Sequence, residues 1–123
     1  MLDNNQCVYF TSSNYPKQYP VETKLWNMIS QVNRCRRARL GLTFVKTFDI
    51  NGKRRSCKKG SSLQAIHTPK GRRKVFCNWR FNSELPEYSS FPFRNGHNVD
   101  FTWNATRRGR GFKLVTCVVC SNN

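Results

Sequence analysis

Short runs in which apolar and polar residues alternate constrain the fold of this chain more than any other feature. The alternating apolar positions are Leu40, Leu42, Phe44, Val99, Phe101, Trp103, Phe112, Leu114 and Val118. Successive side chains of a β-strand point to opposite faces, so this spacing predicts strands with one buried face. Long runs with the period of a helix are absent. We therefore predict an all-β fold, an antiparallel β-sandwich, in which residues 1–123 form a single domain.

The segments between these runs carry turn signals. Asn-Gly pairs at 51–52 and 95–96 are typical of tight turns between strands. Two further strands are expected on either side of a loop at residues 67–73. Residues 81–93 contain two prolines and are predicted to be an irregular excursion. Its aromatic side chains Trp79, Phe81, Phe91 and Phe93 are expected to close one edge of the core rather than to stack on a ligand.

A proline-rich arm lies near the start of the chain. Pro16 and Pro20 do not fit a helix interior, and each favours extended backbone at the preceding tyrosine, Tyr15 or Tyr19. We predict a stiff arm that docks its tyrosine rings on the domain. The apolar run that follows is predicted to be a buried strand and comprises Leu25, Trp26, Met28 and Ile29.

Six cysteines, an even number, favour disulfides formed in an oxidising compartment. The only closely spaced pair, Cys117 and Cys120, lies in a predicted strand, and neither histidine has a second metal ligand beside it. A zinc site is therefore the weaker interpretation. No apolar run approaches the length of a membrane span. These features predict a secreted, extracellular protein.

A net charge of +16, from 22 lysines and arginines against six acids, is the strongest functional signal. Such a balance favours polyanions or acidic surfaces as partners. The cations are grouped at residues 34–39, 53–59, 70–74 and 107–110. The alternative is that these groups are solvated loops whose charge only maintains solubility.

The ordered motifs along the chain resemble a CUB domain. They are Ser13, Asn14, Tyr15, Pro16, Tyr19, Pro20 and Trp26, then Leu42, Thr43 and Phe44, then Phe48, Asp49 and Ile50, then Val99, Asp100 and Phe101, and finally Gly111, Phe112, Lys113 and Leu114. The resemblance implies a jelly-roll-like sandwich of two antiparallel sheets that acts as an extracellular binding module. Free-standing members of the family include spermadhesins and certain venom proteins.

The resemblance also bears on the disulfides. Cys57 and Cys77 fall where the second CUB disulfide lies, so we expect them to be paired. The family's second cysteine is replaced by Lys24, which leaves Cys7, Cys35, Cys117 and Cys120 with three possible connectivities. Because Cys117 and Cys120 face opposite sides of a regular strand, they are expected to have different partners.

Many CUB domains bind calcium through three acidic residues, but the matching positions here are Asn51, Gly60 and Asn104. Calcium prefers several oxygen ligands that include carboxylates, so we predict no calcium, no other metal and no cofactor. The same loops are instead cationic and predict an anion-binding site. Its proposed residues are Lys53, Arg54, Arg55, Lys58, Lys59, Arg107, Arg108 and Arg110. Secondary candidates are Lys70, Arg72, Arg73, Arg36 and Arg37.

Two histidines in a small basic chain raise the question of a ribonuclease. General acid–base catalysis needs two groups that converge on one phosphate, whereas His67 is predicted in a loop and His97 beside a turn. Nothing in the sequence brings them together, and no other catalytic motif occurs, so we predict a non-enzymatic protein. Asn104 begins a possible N-glycosylation sequon, and a glycan there would shield part of the predicted loop site.

The sequence therefore predicts a secreted CUB-like module that binds an anionic glycan, with sulfated glycosaminoglycan the first choice, or an acidic protein surface. Nucleic acid is expected to bind only non-specifically. The alternative is a protein–protein interaction module or secreted effector with one protein target, in which charge only assists encounter. Arginine suits sulfate because its planar guanidinium donates two parallel hydrogen bonds.

Overall fold

Eight β-strands make up the part of the chain that the computed structural model describes, and no helix occurs there. The described residues are 6–30, 35, 37–46, 48–50, 60–77, 85–106 and 109–121. The strands are β1 (Cys7–Thr11), β2 (Glu22–Ile29), β3 (Arg37–Phe44), β4 (Ser62–Thr68), β5 (Arg72–Phe76), β6 (Ser89–Pro92), β7 (Asn98–Ala105) and β8 (Lys113–Ser121).

The strands form two antiparallel four-stranded sheets, packed face to face. One sheet has the order β1-β8-β3-β6 and the other has the order β2-β7-β4-β5. The chain passes repeatedly from one sheet to the other, and the first and last strands are neighbours. This arrangement of eight strands is jelly-roll-like and confirms the predicted antiparallel sandwich.

The inner faces of the two sheets carry the alternating apolar residues. In β3, Leu40 and Leu42 are fully buried, and in β7 Phe101 and Trp103 are buried from the opposite sheet. The Trp103 ring meets the Phe112 ring edge to face, with 4.9 Å between their centroids. The period-two pattern therefore identified the strands and their buried faces correctly, because each sheet has one face in the core and one in water.

Two disulfides join β8 to other parts of the chain. Cys7 pairs with Cys117 and Cys35 pairs with Cys120. The two cysteines of β8 have different partners, as their odd spacing predicted, and the structure selects one of the three open connectivities. Cys77 is also disulfide-bonded, and its expected partner Cys57 lies outside the described residues.

The arm docks its tyrosines as predicted. Tyr19 is fully buried, and the Tyr15 hydroxyl donates to the carbonyl oxygen of Val45 at 3.2 Å. The arm is not extended throughout, because residues 13–16 form a turn. The Lys17 amide closes this turn by donating to the carbonyl oxygen of Asn14.

Glu22 connects the arm to the core. Its Oε2 accepts hydrogen bonds from the Ser13 amide at 3.0 Å and from Trp103 Nε1 at 2.9 Å. Burial by itself raises the pKa of Glu22, but these hydrogen bonds and the nearby Lys24 ammonium outweigh burial, so the pKa lies below its ordinary value of 4.5. The carboxylate is therefore stabilised in its charged form.

Three predictions about local structure are corrected. The loop predicted at residues 67–73 is shorter, because His67 lies in β4 and Arg72 begins β5. The predicted irregular segment 81–93 contains strand β6, which pairs with β3; its residues 81–84 lie outside the described residues.

The run that begins at Leu25 is not wholly buried: β2 is amphipathic, so Leu25 and Ile29 face solvent while Met28 faces the core. Phe91 and Phe93 are core residues, as expected, and Trp79 lies outside the described residues.

Candidate anion-binding site

One end of the sandwich, which we call the loop end, holds the described segments that flank residues 51–59 and residues 107–108, where the primary site was predicted. Tyr19 connects the two segments that flank residues 51–59. Its hydroxyl donates to the carbonyl oxygen of Ile50 at 2.7 Å and lies 3.1 Å from Ser61 Oγ. Ser61 Oγ also accepts a hydrogen bond from the Thr106 amide. A buried tyrosine therefore brings the bases of both basic loops together.

A short β-bridge between Asp49 and Gly111 joins the segment before one loop to the segment after the other. The Gly111 backbone has a φ of 91°, and a Cβ added there would collide with Ser12 Oγ. Asp49 Oδ2 accepts a hydrogen bond from the amide of Arg110, whose side chain is exposed. The flanks of the two loops meet, as the family resemblance implied.

Most of the predicted primary residues are not among the described ones. Those outside the described residues are Lys53, Arg54, Arg55, Lys58, Lys59, Arg107 and Arg108. Gly60 and Asn104, two of the positions compared with calcium ligands, are described and contribute no carboxylate. Asn104 is exposed, so a glycan could be attached there. Among the described residues, no group of three or more histidine, cysteine, aspartate or glutamate side chains could hold a metal ion.

A group of described cations lies at the other end of the strands. Thr68 pairs with Asn98 there, whereas Ser62 pairs with Asn104 at the loop end. The Phe93 amide donates to the carbonyl oxygen of Ala38, which joins the segment after β6 to the start of β3. A cavity of about 510 Å³ opens here, and we call it the cationic cavity. Its lining comprises Arg37, Ala38, Arg39, Lys70, Pro92, Arg94 and His97.

Four full positive charges line the cationic cavity, and none of the described lining residues is acidic. Arg39 is held in place by Ser90, because its Nε donates to Ser90 Oγ at 2.7 Å and its Nη2 donates to the Ser90 carbonyl oxygen at 3.2 Å. A guanidinium that is already ordered loses less conformational entropy when it binds a ligand. The volume is in the range of small-molecule sites, about 300–1,000 Å³.

The cationic cavity brings together two clusters that are distant in sequence. Arg37 comes from the 34–39 cluster and Lys70 from the 70–74 cluster, and both were secondary candidates. Arg94 and His97 were not predicted as site residues. The sequence signal for Arg94 was its position among aromatic residues, but only the pairing of β6 with β3 places it beside the other cations.

The remaining secondary candidates are divided by the register of the β-hairpin formed by β4 and β5. Arg72 pairs with buried His67, whereas Arg73 pairs with Ile66 on the outer face of the sheet. Directly paired residues of antiparallel strands project to the same side, so Arg73 faces away from the interior. Lys74 lies over the Phe91 ring at 5.2 Å. Arg36 lies outside the described residues.

The two histidines are in contact, which corrects the expectation that they lie apart. His67 Nε2 is 3.1 Å from His97 Nδ1. His67 is fully buried and its ring stacks on Phe91 with an interplanar angle of 8°. His97 is half-buried and lines the cationic cavity. Because His67 is fully enclosed and bonded to His97, the pair offers one accessible imidazole rather than two.

Burial is the main reason that the pKa of His67 lies below its ordinary value of 6.5. The positive charges of His97, Arg72 and Lys70 lower it further, and a hydrogen bond with the Pro92 backbone opposes them. Among the described residues, His67 Nδ1 has no hydrogen-bond partner, which also disfavours a proton at that nitrogen. His67 is therefore neutral at physiological pH.

Comparison with known proteins assigns no family, since no protein-family model and no curated protein matches the chain. Within the described ranges, no helix is long and apolar enough to cross a membrane. The disulfides, which form and persist in oxidising compartments, are compatible with an extracellular protein.

Proposed function

We propose that the chain is a secreted, non-enzymatic, CUB-like module that binds sulfated glycosaminoglycans without calcium. The observation that carries this proposal is the cationic cavity, where arginine and lysine side chains from distant clusters lie together without a described acid among them. Cations so arranged repel one another, so an anionic ligand would relieve an unfavourable arrangement. Residues 53–59 and 107–110 at the loop end would extend the same interaction along a polymeric ligand.

Three features of the described residues support a binding role. The jelly-roll-like sandwich agrees with the architecture that the family resemblance implied. The predominance of arginine in the cavity suits a sulfate group, because a planar guanidinium can donate two parallel hydrogen bonds to two of its oxygens. The enclosure of His67 argues against a pair of accessible groups on opposite sides of a scissile phosphate, as acid–base catalysis requires.

The test compares retention on heparin-agarose with retention on a sulfonated cation exchanger of matched charge density. Native protein is expected to elute from heparin at clearly higher salt, and its heparin affinity should fall steeply with ionic strength, as for other polyanions. Equal elution salt on the two resins would refute the proposal, because it would show that only net charge matters.

Two variants then separate the ends of the sandwich. The loop-end variant replaces Arg54, Arg55, Arg107 and Arg108 with alanine. The cavity variant replaces Arg37 and Lys70 with glutamine. Each is expected to lower the elution salt on heparin more than on the exchanger. If neither lowers it preferentially, the glycan binds elsewhere on the molecule.

A second function, binding to a particular protein, is favoured by one observation. The outer face of β2 and the residue before it expose apolar side chains, with Val21 71%, Leu25 73% and Ile29 45% accessible. Aliphatic groups along one strand suit a packed protein interface, whose affinity would depend weakly on salt. Replacing Leu25 with Ser should leave heparin retention unchanged under the first proposal.

A further inference from the structure

We infer that the cationic cavity is a discrete site for one sulfate ester group of a sugar, and that its occupancy is coupled to protonation of the His67–His97 pair. This inference rests on the proposed function and adds to it a defined subsite and a pH dependence. It does not require the loop end, whose cations could bind other parts of the same polymer.

The histidine pair connects the core of the domain to the wall of the cavity. In the neutral pair, His97 Nδ1 accepts hydrogen bonds from the Arg94 amide at 3.3 Å and from His67 Nε2 at 3.1 Å. The Pro92 carbonyl oxygen lies 3.4 Å from His97 Nδ1. This oxygen can accept a hydrogen bond from a protonated Nδ1, so the charged form has a hydrogen-bond acceptor at the boundary of the cavity.

The charged groups described near the pair are cationic. Lys70, from the turn after β4, and Arg72, from β5, act on His67, while Arg37, Arg39 and Arg94 line the same cavity as His97. The acid of β7, Asp100, lies on the outer face of its sheet, where it accepts a hydrogen bond from Asn27. Without a ligand, this surrounding charge opposes protonation of the pair.

A bound anion reverses the sign of the field at the pair. One sulfate ester beside Arg37, Arg39 and Arg94 would offset part of their repulsion and favour an imidazolium at His97. Binding and protonation are then linked, and each must strengthen the other by the same factor. Because the two rings are in direct contact, the apparent pKa values belong to the pair and not to either ring.

A sulfate ester is the appropriate probe because its charge does not change between pH 5.5 and pH 8. A phosphate monoester gains a second negative charge near pH 6, so its own titration would oppose the effect of the histidines. Any change of sulfate affinity over this interval therefore reports on groups of the protein. The sugar attached to the ester has room in a cavity of this volume.

The experiment measures by calorimetry the affinity of a sulfated heparin disaccharide at pH 8 and at pH 5.5, at one fixed ionic strength. The affinity of the native chain should rise about threefold on acidification, because the pair is only partly protonated at pH 5.5. In His97→Asn the side-chain oxygen can still accept from His67 and Arg94 but cannot titrate, so its affinity should change less than about twofold.

Two arginine variants of equal charge locate the site. Arg37→Gln removes a cavity cation and should weaken disaccharide binding about tenfold at both pH values. Arg73→Gln removes a cation from the outer face of the same end of the molecule and should change affinity less than about twofold. Equal losses in the two variants would overturn the assignment of the cavity.

The remaining outcomes separate this inference from the proposed function. Heparin-specific retention with a disaccharide affinity that does not change with pH would overturn the linkage and leave the function standing. Equal elution from heparin and exchanger, together with pH-linked disaccharide binding, would refute the function and leave the cavity site standing. Tighter binding of a phosphorylated sugar than of its sulfated counterpart at pH 8 would overturn the ligand class.

A second measurement uses only the native chain and needs no variant. Nuclear magnetic resonance can follow the ring nitrogens of both histidines in the native chain as pH is lowered. Saturating disaccharide should raise the higher apparent pKa of the pair by about one unit, which corresponds to a tenfold affinity difference between the fully protonated and the fully deprotonated pair. An identical titration with and without ligand would overturn the coupling.

Discussion

Replacing Tyr19 with phenylalanine removes one hydroxyl and keeps the buried ring, so it isolates the hydrogen bonds that connect the two loop bases. The hydroxyl donates to the Ile50 carbonyl oxygen at 2.7 Å and contacts Ser61 Oγ at 3.1 Å. The site is fully buried, so water cannot replace the lost partner at low cost. We expect the free energy of unfolding to fall by about 1–2 kcal/mol, with a melting temperature lower by about 5 °C.

Urea unfolding followed by tryptophan fluorescence measures this change. Tyr9→Phe is the matched control, because Tyr9 is 64% exposed and its ring contacts Lys113 through its face. The control should change the free energy of unfolding by less than about 0.5 kcal/mol. A loss in Tyr19→Phe no larger than in Tyr9→Phe would refute the argument that this hydroxyl holds the loop bases together.

The pH dependence of Tyr19 provides an independent check. Burial raises its pKa to about 12, against the lowering effect of the Ser61 hydrogen bond and with small contributions from Asp49 and Glu22. A raised pKa means that the stability gained from neutral Tyr19 is complete below pH 10 and is lost as pH rises towards 12. The native chain should therefore lose about 1 kcal/mol more than Tyr19→Phe between pH 9 and pH 11, whereas parallel losses would contradict this pKa.

Three further changes test the framework. Glu22→Gln should lower the free energy of unfolding by about 1–2 kcal/mol at pH 7. This loss of stability should shrink as pH falls below 4.5, because a carboxyl group with a depressed pKa stabilises the fold only while it is charged. A loss that does not depend on pH in urea titrations would contradict this. Replacing both Cys7 and Cys117 with serine opens a loop of about 30 residues when the Cys35–Cys120 disulfide remains. The free energy of unfolding, measured in a thermal melt, should fall by about 3.5 kcal/mol. A fall of less than about 1 kcal/mol would contradict the chain-entropy reasoning. Gly111→Ala should cost at least about 2 kcal/mol, because steric collision adds to backbone strain, whereas Gly71→Ala, with φ of 66° but open space around it, should cost about 1 kcal/mol. Equal losses in the two glycine variants, measured by urea unfolding, would show that the collision at position 111 is relieved.

The sequence was most informative where a local period determines the result. Alternation at Leu40, Leu42 and Phe44 identified both a strand and its buried face, since neighbouring side chains of a strand must point to opposite sides. The same parity separated the partners of Cys117 and Cys120. The apolar run at Leu25 does not alternate strictly, and a prediction from residue type alone overestimated its burial. Only the position of β2 in its sheet decides which face of the strand meets the core.

The chain alone determined an antiparallel sandwich, its disulfide bonding and its strong positive charge, because these depend on spacing and composition. Only the tertiary structure decided which cations lie together. Strand pairing, and not sequence proximity, placed Arg37 beside Lys70 and Arg94. It also joined His67 to His97, although nothing in the sequence indicated that the two are close. Contacts between distant residues depend on the register of several strands at once, and no local pattern contains that information.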